Sequence, residues 1–294
     1  MRKAFIDELI KIAKVNRNIV LIVGDLGFSV VEPFQEQFPD RFFNAGVAEQ
    51  NMMSMAAGLA SEGCHVFIYS IANFPTFRCA EQIRNDVAYH QLPVTIVAIG
   101  GGLAYGNLGY SHHAVQDYAL MRSMPNMLIS APGDPMEVRA CLRYLTEYPQ
   151  PSYLRLGKEG EAFMHDSLPN LEPGIWKKIS KNNKTASKAI ITTGNGLQIA
   201  AGWQKGGRYP DFELYSLPLW GMSYKKDQPK QIEKFDQIMT IEDHLLDAGF
   251  GSWLLESLTT TPHLMQRISI KALNPIVCGL VASQSALQSK GGLS

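Results

Sequence analysis

Residues 42–52 read Phe-Phe-Asn-Ala-Gly-Val-Ala-Glu-Gln-Asn-Met and continue into small and apolar residues as far as Ala60. The stretch places one carboxylate, Glu49, at the start of a helix predicted over residues 48–61. A carboxylate among apolar groups loses hydration, so we expect Glu49 to be able to share a proton near neutral pH. The alternative is an ordinary helix-start glutamate, favoured by the helix dipole and pointing to water.

Short apolar runs alternate with helical patterns on both sides of this stretch. Strands are predicted at residues 19–25, a run that ends in a loop, and at 66–69, 94–99 and 127–130. Helices are predicted at residues 3–15, 48–61, 77–90 and 135–146. Alternation of this kind is typical of a parallel sheet covered on both faces. The turn Ala-Pro-Gly-Asp-Pro at 131–135 predicts Asp134 as a helix N-cap and Pro135 as the first helical residue.

A second block of the same kind begins near Ala189, with later strands predicted at 238–242 and 268–270. The residues before it are polar and rich in turn formers, which indicates a linker. We therefore predict an α/β protein with two doubly wound domains. Their boundaries are 1–160 for the first domain, 161–187 for the linker and 188–294 for the smaller second domain.

Composition narrows the classes of function. The 294 residues are 46% hydrophobic and 18% charged, with a formal net charge of zero. This balance argues against a nucleic-acid or membrane partner, and no apolar stretch approaches the ~20 residues of a transmembrane helix. The four cysteines lack a CxxC spacing, which predicts buried thiols in a reducing, cytoplasmic compartment and no metal site. They are Cys64, Cys79, Cys141 and Cys278.

Two further motifs each follow a predicted strand. The first, at 71–84, contains Phe74 and Phe77, which are either core residues or a flat apolar face for a ring ligand. The second, at 100–113, is glycine-rich and ends in His112 and His113. A histidine there is either structural or a proton-transfer group. Zinc binding by the pair is not expected, because adjacent side chains project apart.

The segment Gly-Val-Ala-Glu-Gln-Asn-Met at 46–52, with Ala-Ala-Gly-Leu-Ala at 56–60, resembles the pyrimidine-binding domain of transketolases and related thiamine diphosphate enzymes. The resemblance covers both domains and is stronger over residues 1–160. It implies that Glu49 contacts N1′ of the cofactor's aminopyrimidine ring and activates the cofactor through a shared proton. It implies that Phe74 or Phe77 stacks on that ring and that Asp25 is a further cofactor contact.

The same resemblance indicates substrate-binding residues. It places His112, with His113 beside it, next to the reacting carbons of a sugar. Arg2, Ser29 and Lys158 match family positions that hold a substrate phosphate, although each could also be an ordinary surface residue or cap.

Two positions depart from the family pattern. Leu108 replaces an Asp that reads a substrate hydroxyl, and Gly100 replaces a phosphate-contacting His. Both departures argue against the usual pentose-phosphate substrates: the donor or acceptor is expected to be either an unusual sugar or one whose anionic group binds elsewhere.

Transketolases hold the cofactor diphosphate through Mg²⁺, with a Gly-Asp-Gly signature followed by Asn-Asn. This chain has Gly24-Asp25-Leu26 and Gly133-Asp134-Pro135, and its one Asn pair, Asn182-Asn183, falls in the predicted linker. Mg²⁺ in this family is bound by the carboxylate and amide oxygens of these two motifs. Because this chain lacks the Gly-Asp-Gly motif, we expect it to supply no metal ligands. The chain would be the C-terminal half of a split transketolase. Its expected partner is an N-terminal subunit that holds Mg²⁺ and the diphosphate of thiamine diphosphate, in an α2β2 assembly.

The expected activity is transfer of a two-carbon ketol unit from a ketose to an aldose, only in the presence of the partner. One alternative is a 1-deoxyxylulose-5-phosphate synthase-like or 2-oxo-acid dehydrogenase beta-like subunit, which would consume pyruvate and release CO₂. Another is a non-catalytic regulatory or scaffold subunit. Leu108 and Gly100 favour the scaffold, whereas the intact Glu49 and His112 argue against it.

Overall fold

The computed structural model describes residues 1–179 and 186–294, which form two open sheets with helices against their faces. The predicted Asn182-Asn183 pair lies outside the described residues. The strands are β1 (Ile19–Val23), β2 (Phe42–Asn44), β3 (His65–Ile71), β4 (Val94–Ile99), β5 (Leu128–Ser130), β6 (Ser152–Leu156), β7 (Lys177–Lys178), β8 (Lys188–Thr192), β9 (Phe212–Ser216), β10 (Leu219–Trp220), β11 (Gln237–Leu245) and β12 (Ile268–Leu273). The α-helices are α1 (Arg2–Val15), α2 (Glu32–Gln37), α3 (Glu49–Ser61), α4 (Asn73–Phe77), α5 (Ala80–Gln82), α6 (Asp117–Arg122), α7 (Pro135–Glu147), α8 (Gly196–Lys205), α9 (Gln228–Ile232), α10 (Phe250–Glu256) and α11 (Gln284–Lys290).

The first sheet has the strand order β10-β5-β6-β4-β3-β1-β2. All neighbours are parallel except β10, which pairs antiparallel with β5. Every residue of β1, β4 and β6 is buried, as expected for parallel strands covered on both faces. The α/β class predicted from the alternating apolar runs is confirmed.

The second sheet has the order β12-β11-β8-β9-β7, with β7 antiparallel at its edge. Strand β10 follows β9 in the chain but belongs to the first sheet, so the second half of the chain contributes to both sheets. The predicted domain boundaries at 160 and 188 stay a prediction. No helix of the described ranges is both long and apolar enough to cross a bilayer.

Several predicted elements agree with the structure to within a few residues. Helix α7 begins at Pro135, and the Asp134 carboxylate caps it by accepting the Glu137 N–H at 2.7 Å. The helix predicted at 77–90 is confirmed over residues 80–88, but its start and its continuity differ from the prediction. The chain is helical from Asn73, breaks at Cys79 (φ −114°, ψ 15°), and resumes as α5 and a π-helical segment, Ile83–Ala88. Pro75 and the Thr76 hydroxyl, which binds the Ala72 carbonyl, lie within this first turn.

A buried ion-pair network joins the two sheets. Arg155, at the end of β6, donates from Nε to Asp117 at 2.7 Å and from Nη1 to Asp243 of β11 at 2.6 Å. Its Nη2 donates to the Ala114 carbonyl at 2.7 Å, and its guanidinium lies 4.4 Å from the ring centroid of Tyr118. All three charged side chains are at most 2% exposed. Asp243 belongs to the segment 241–244 of β11, which therefore supplies part of this contact.

The start of the predicted linker is held against α7. Asp134 accepts the backbone N–H groups of Met164 and His165 at 2.7 and 3.1 Å, and Glu137 pairs with His165 Nε2 at 3.0 Å. Asp134, Glu137 and His165 are close enough to hold a metal ion, but these hydrogen bonds already use their ligand atoms. Burial disfavours the charged imidazole, yet the Glu137 carboxylate outweighs it and raises the pKa of His165.

Candidate active site

The sequence-predicted site residues gather at one edge of the first sheet. The carboxyl ends of β1, β2, β3, β4 and β6 point to this edge because the five strands run parallel. The loops and helix starts that follow them carry Asp25, Glu49, Phe74, His112 and Lys158. Ligands of open α/β sheets bind at this position, outside the carboxyl ends of the strands.

Glu49 is the first residue of α3 and is only 5% exposed, although it stands at a helix start. Its Oε1 accepts a hydrogen bond from Arg78 Nη1 at 2.7 Å. No described residue hydrogen-bonds to the other oxygen, Oε2. Glu49 and Arg78 line a surface pocket of about 530 Å³ together with Val47, which is 72% exposed. The carboxylate is therefore buried and ion-paired, and the solvated helix-start alternative is not what the structure shows.

Asn44, at the end of β2, fixes the loop before Glu49. Its Oδ1 accepts the backbone N–H groups of Asp25 at 3.1 Å and Gly46 at 3.0 Å, and its Nδ2 donates to the Asp25 carboxylate at 3.0 Å. Asp25 has a φ of 54°, in the left-handed region that non-glycine residues rarely occupy. Asp25, the predicted cofactor contact, is thus hydrogen-bonded to Asn44 in the segment that leads into Glu49.

An aromatic side chain connects Glu49 to the glycine-rich loop. The Arg78 guanidinium lies 4.2 Å from the ring centroid of Phe74, and the Phe74 ring meets the His112 ring edge to face at 5.3 Å. Phe77 lies on the same short helix and is 46% exposed. The structure therefore brings Glu49, Phe74 and His112 into one row through Arg78, whereas Phe77 makes none of these ring contacts among the described residues.

The two adjacent histidines have different surroundings. His112 is partly exposed, and its Nδ1 lies 3.0 Å from the Ser111 hydroxyl. Burial, together with the charges of His113 and Arg78, lowers the pKa of His112, so its imidazole is neutral at neutral pH and able to accept a proton. His113 is 1% exposed, and its Nε2 lies 3.2 Å from the Gly106 carbonyl. The contacts of His113 are those of a group that supports the loop.

Arg2, Ser29 and Lys158 line a single pocket of about 380 Å³. Arg2 donates from Nε to the Lys158 carbonyl at 2.8 Å and pairs with Glu159 at 3.1 Å. The Lys158 ammonium forms no salt bridge with any described residue and lies 5.4 Å from the ring centroid of Tyr105. Three residues predicted from distant parts of the chain thus line one pocket. Lys158 brings a positive charge that no described residue pairs in a salt bridge, although the carboxylates of Asp7 and Glu159 line the same pocket.

Residues of the predicted second domain contact the glycine-rich loop. The Ala282 N–H donates to the Gly106 carbonyl at 3.3 Å, and a Cβ built on Gly106 would lie 2.5 Å from Leu287. Farther along the loop, the Leu245 N–H donates to the Val115 carbonyl at 3.0 Å. The loop that carries His112 is therefore positioned by both domains.

Sequence reasoning missed Arg78, Asn44 and Tyr105. Arg78 directly follows Phe77 in the aromatic motif, and Asn44 lies within the stretch 42–52, but neither sequence position indicates its partner. Tyr105 has no signal beyond its place in a glycine-rich loop.

Comparison with known proteins agrees with this geometry. Residues 1–160 match the family model described as the transketolase pyrimidine binding domain. The chain is 36% identical to a putative transketolase C-terminal section of Methanocaldococcus jannaschii, over 88% of this chain and 82% of that protein. It is 31% identical to an apulose-4-phosphate transketolase subunit of Phocaeicola vulgatus, over 94% of this chain and 88% of that protein.

Solved structures agree with this likeness. A structure described as a split gene transketolase, inactive beta4 tetramer, superposes with a TM-score of 0.84 at 28% identity, over 100% of this chain and 93% of that one. The transketolase of Campylobacter jejuni shares the fold at a TM-score of 0.80 and 15% identity, over 100% of this chain and 44% of that one. The chain therefore belongs to the transketolase family, whose pyrimidine-binding domain it carries in residues 1–160.

Proposed function

We propose that this chain is the C-terminal subunit of a two-component, thiamine diphosphate-dependent transketolase that transfers a ketol unit between anionic sugars. The observation that carries the proposal is the row formed by Glu49, Arg78, Phe74 and His112. It places a buried carboxylate and a neutral imidazole on the same edge of the sheet as an anion pocket. The relatives named as a transketolase C-terminal section and as a transketolase subunit support the assignment.

The residues present fit the pyrimidine end of the cofactor. Glu49 is 5% exposed, has one oxygen without a described partner, and borders an open pocket. It would hold the aminopyrimidine by sharing a proton with a ring nitrogen, while Arg78 fixes the orientation of the carboxylate. Phe74 and Phe77 offer aromatic surface beside it, and Asp25 lies on the neighbouring loop. When bound, thiamine diphosphate supplies the carbon nucleophile that this chain lacks.

A partner subunit would complete the site. Mg²⁺ is bound by oxygen ligands and phosphates, and we assign the diphosphate and its Mg²⁺ to an N-terminal transketolase subunit in an α2β2 assembly. Phe43, Val47 and Phe77 are 39%, 72% and 46% exposed, and the first two lie in the stretch that leads into Glu49. Exposed apolar side chains of this kind suit a surface that a second protein covers. The free thiols of the chain suit the cytoplasm.

His112 and the anion pocket would handle the sugar. The neutral His112 can accept a proton from a substrate hydroxyl and return it, because its pKa is lowered from the usual histidine value. Lys158, Arg2 and Ser29 would bind the anionic end of the substrate in their common pocket.

The first experiment measures ketol transfer from a ketose phosphate to an aldose phosphate, with thiamine diphosphate and Mg²⁺ present. We expect no transfer by the pure chain and transfer after the N-terminal subunit is added. Transfer by the pure chain would refute the split-subunit proposal.

The second experiment tests Glu49 in the assembled complex. We expect Glu49→Ala and Glu49→Gln to lower kcat by at least about 100-fold, the scale of general acid–base catalysis, without affecting assembly. Glu62→Gln is the matched control, since Glu62 is an exposed carboxylate at the other end of α3. Unchanged turnover of Glu49→Ala would remove Glu49 from the mechanism.

One alternative activity retains support from the comparisons. The chain is 32% identical to a 1-deoxy-D-xylulose-5-phosphate synthase of Clostridium perfringens, over 88% of this chain and 42% of that protein. Consumption of pyruvate with release of CO₂ by the complex would favour this activity over ketol transfer. Binding of thiamine diphosphate without turnover would favour a scaffold subunit.

A further inference from the structure

Tyr105 lies between the row that ends at His112 and the anion pocket that Lys158 lines. Its ring meets the His112 ring edge to face at 6.3 Å, and the Lys158 ammonium lies 5.4 Å from its ring centroid. His112 belongs to the row that starts at Glu49, and Lys158 lines the anion pocket. A substrate that contacted both His112 and Lys158 would therefore lie beside the Tyr105 side chain.

The Tyr105 ring also occupies the space above Gly100. A Cβ built on Gly100, whose φ is +80°, would lie 2.1 Å from Tyr105 Cε2 and 2.3 Å from Cδ2. Real atoms do not approach so closely, so no side chain can extend from position 100 while the tyrosine keeps this position. The Tyr105 ring therefore fills the space above Gly100, beside the ammonium of Lys158.

The hydroxyl of Tyr105 is unused within the part of the chain that the structure describes. No described residue forms a hydrogen bond with it. Burial, together with the charge of Glu159, raises the pKa of Tyr105 against the opposing effect of Arg2, so the hydroxyl stays protonated. A protonated phenol can both donate and accept a hydrogen bond. A polar group without a partner favours ligands that can form a hydrogen bond with it over ligands that cannot.

We propose that Tyr105 determines substrate specificity: its hydroxyl reads a sugar hydroxyl located between the carbon handled at His112 and the anionic group held at Lys158. This inference rests on the proposed function for the class of ligand, an aldose phosphate. It assigns Tyr105 a contact with substrate and no role in proton transfer.

The test compares the affinities of the full-length chain for inorganic phosphate and for ribose 5-phosphate, erythrose 4-phosphate and glyceraldehyde 3-phosphate, measured by ligand-observed NMR. Tyr105→Phe removes only the hydroxyl and keeps the ring beside Lys158. We expect this variant to bind the preferred sugar phosphate about fivefold to tenfold more weakly, the scale of one hydrogen bond. Its affinity for inorganic phosphate should stay within about twofold, because the charge at Lys158 is retained.

The matched control is Tyr110→Phe, which loses a hydroxyl from the same loop where that hydroxyl already binds Gln116 at 2.8 Å. We expect it to leave both affinities unchanged. The proposal is overturned if Tyr105→Phe weakens the preferred sugar phosphate by less than twofold, or weakens inorganic phosphate equally. It is also overturned if no sugar phosphate binds the wild-type chain more tightly than inorganic phosphate.

These outcomes do not depend on turnover. If Tyr105→Phe changes binding to the chain while the assembled complex fails to transfer ketol units, the proposed function is refuted and the tyrosine is retained as a ligand-reading residue. Ketol transfer by the complex without a binding difference for Tyr105→Phe would support the proposed function and refute the role of Tyr105.

Discussion

Replacement of Arg155 by lysine should destabilise the protein far more than the same change at Arg122. Arg155 is 2% exposed and uses all three guanidinium nitrogens, toward Asp117, Asp243 and the Ala114 carbonyl. A lysine keeps the charge, but all its donors lie on one nitrogen, which lacks the spread of the guanidinium fork and cannot reach both buried carboxylates and the Ala114 carbonyl from where Arg155 reaches them.

The expected magnitude follows from the group that is left unpaired. A buried charge deprived of its partner costs about 3–5 kcal/mol, a large share of the roughly 5–15 kcal/mol that stabilises a typical domain. Arg122 also links the two parts of the chain, since it pairs with Glu256 at 2.7 Å. Arg122 is itself 8% exposed and also donates to the Ala248 carbonyl, but the Glu256 carboxylate is 43% exposed, so water can hydrate that carboxylate when the pair is lost and the cost should be smaller, about 1–2 kcal/mol.

The assay is urea unfolding followed by tryptophan fluorescence. Trp220 is buried and lies 5.2 Å from Tyr118, the ring beneath the Arg155 guanidinium, so it reports on this region. We expect Arg155→Lys to lower the free energy of unfolding by about 3–5 kcal/mol. Equal losses for the two variants, or a loss below about 1 kcal/mol for Arg155→Lys, would refute the reasoning that burial decides the cost.

Three further outcomes are expected. Because Glu137 raises the pKa of His165 above its unfolded value, the pair stabilises the fold fully below about pH 6.5, and this stability is lost as pH rises through the folded pKa. His165→Gln should reduce this pH dependence in thermal unfolding measured from about pH 5 to 8, and an unchanged profile would contradict the assignment. Gly100→Ala should lower the free energy of unfolding by about 1–3 kcal/mol, because its Cβ would overlap Tyr105, and urea unfolding without loss of stability would contradict this packing. Lys158→Gln in the complex should raise KM for a phosphorylated substrate about tenfold or more with little change in kcat, and an unchanged KM would exclude Lys158 from anion binding.

Local signals predict much of the first domain. The strand predicted at 94–99 has the same limits as β4, and the run predicted at 19–25 contains β1, which ends at Val23. The Asp134 cap is predictable because capping depends on neighbours within four residues. Strand β2 has no such signal, since Phe42 is only partly buried, Phe43 and Asn44 are exposed, and the three residues form no long apolar run. Local patterns cannot predict such a strand, because its register against β1 is set by tertiary pairing.

The candidate site is less predictable from the sequence. The burial of Glu49 follows from its apolar surroundings, but its pairing with Arg78 does not, because the two residues are 29 positions apart and meet only when α4 follows β3. The common pocket of Arg2, Ser29 and Lys158 is expected from resemblance alone. The assignments of these residues to catalysis, cofactor and substrate stay predictions until the variants are measured.

Strand β10 limits where this polypeptide could be divided. Leu219 and Trp220 come from beyond the predicted linker yet pair with Ser130 and Ile129 of β5, and they form the outer edge of the first sheet. A fragment ending in the linker would leave the backbone groups of β5 bare, and bare edges recruit strands from other molecules. Such a fragment should self-associate instead of behaving as a free-standing domain. A break in the gene would therefore be tolerated far less readily here than the polar sequence of the linker suggests.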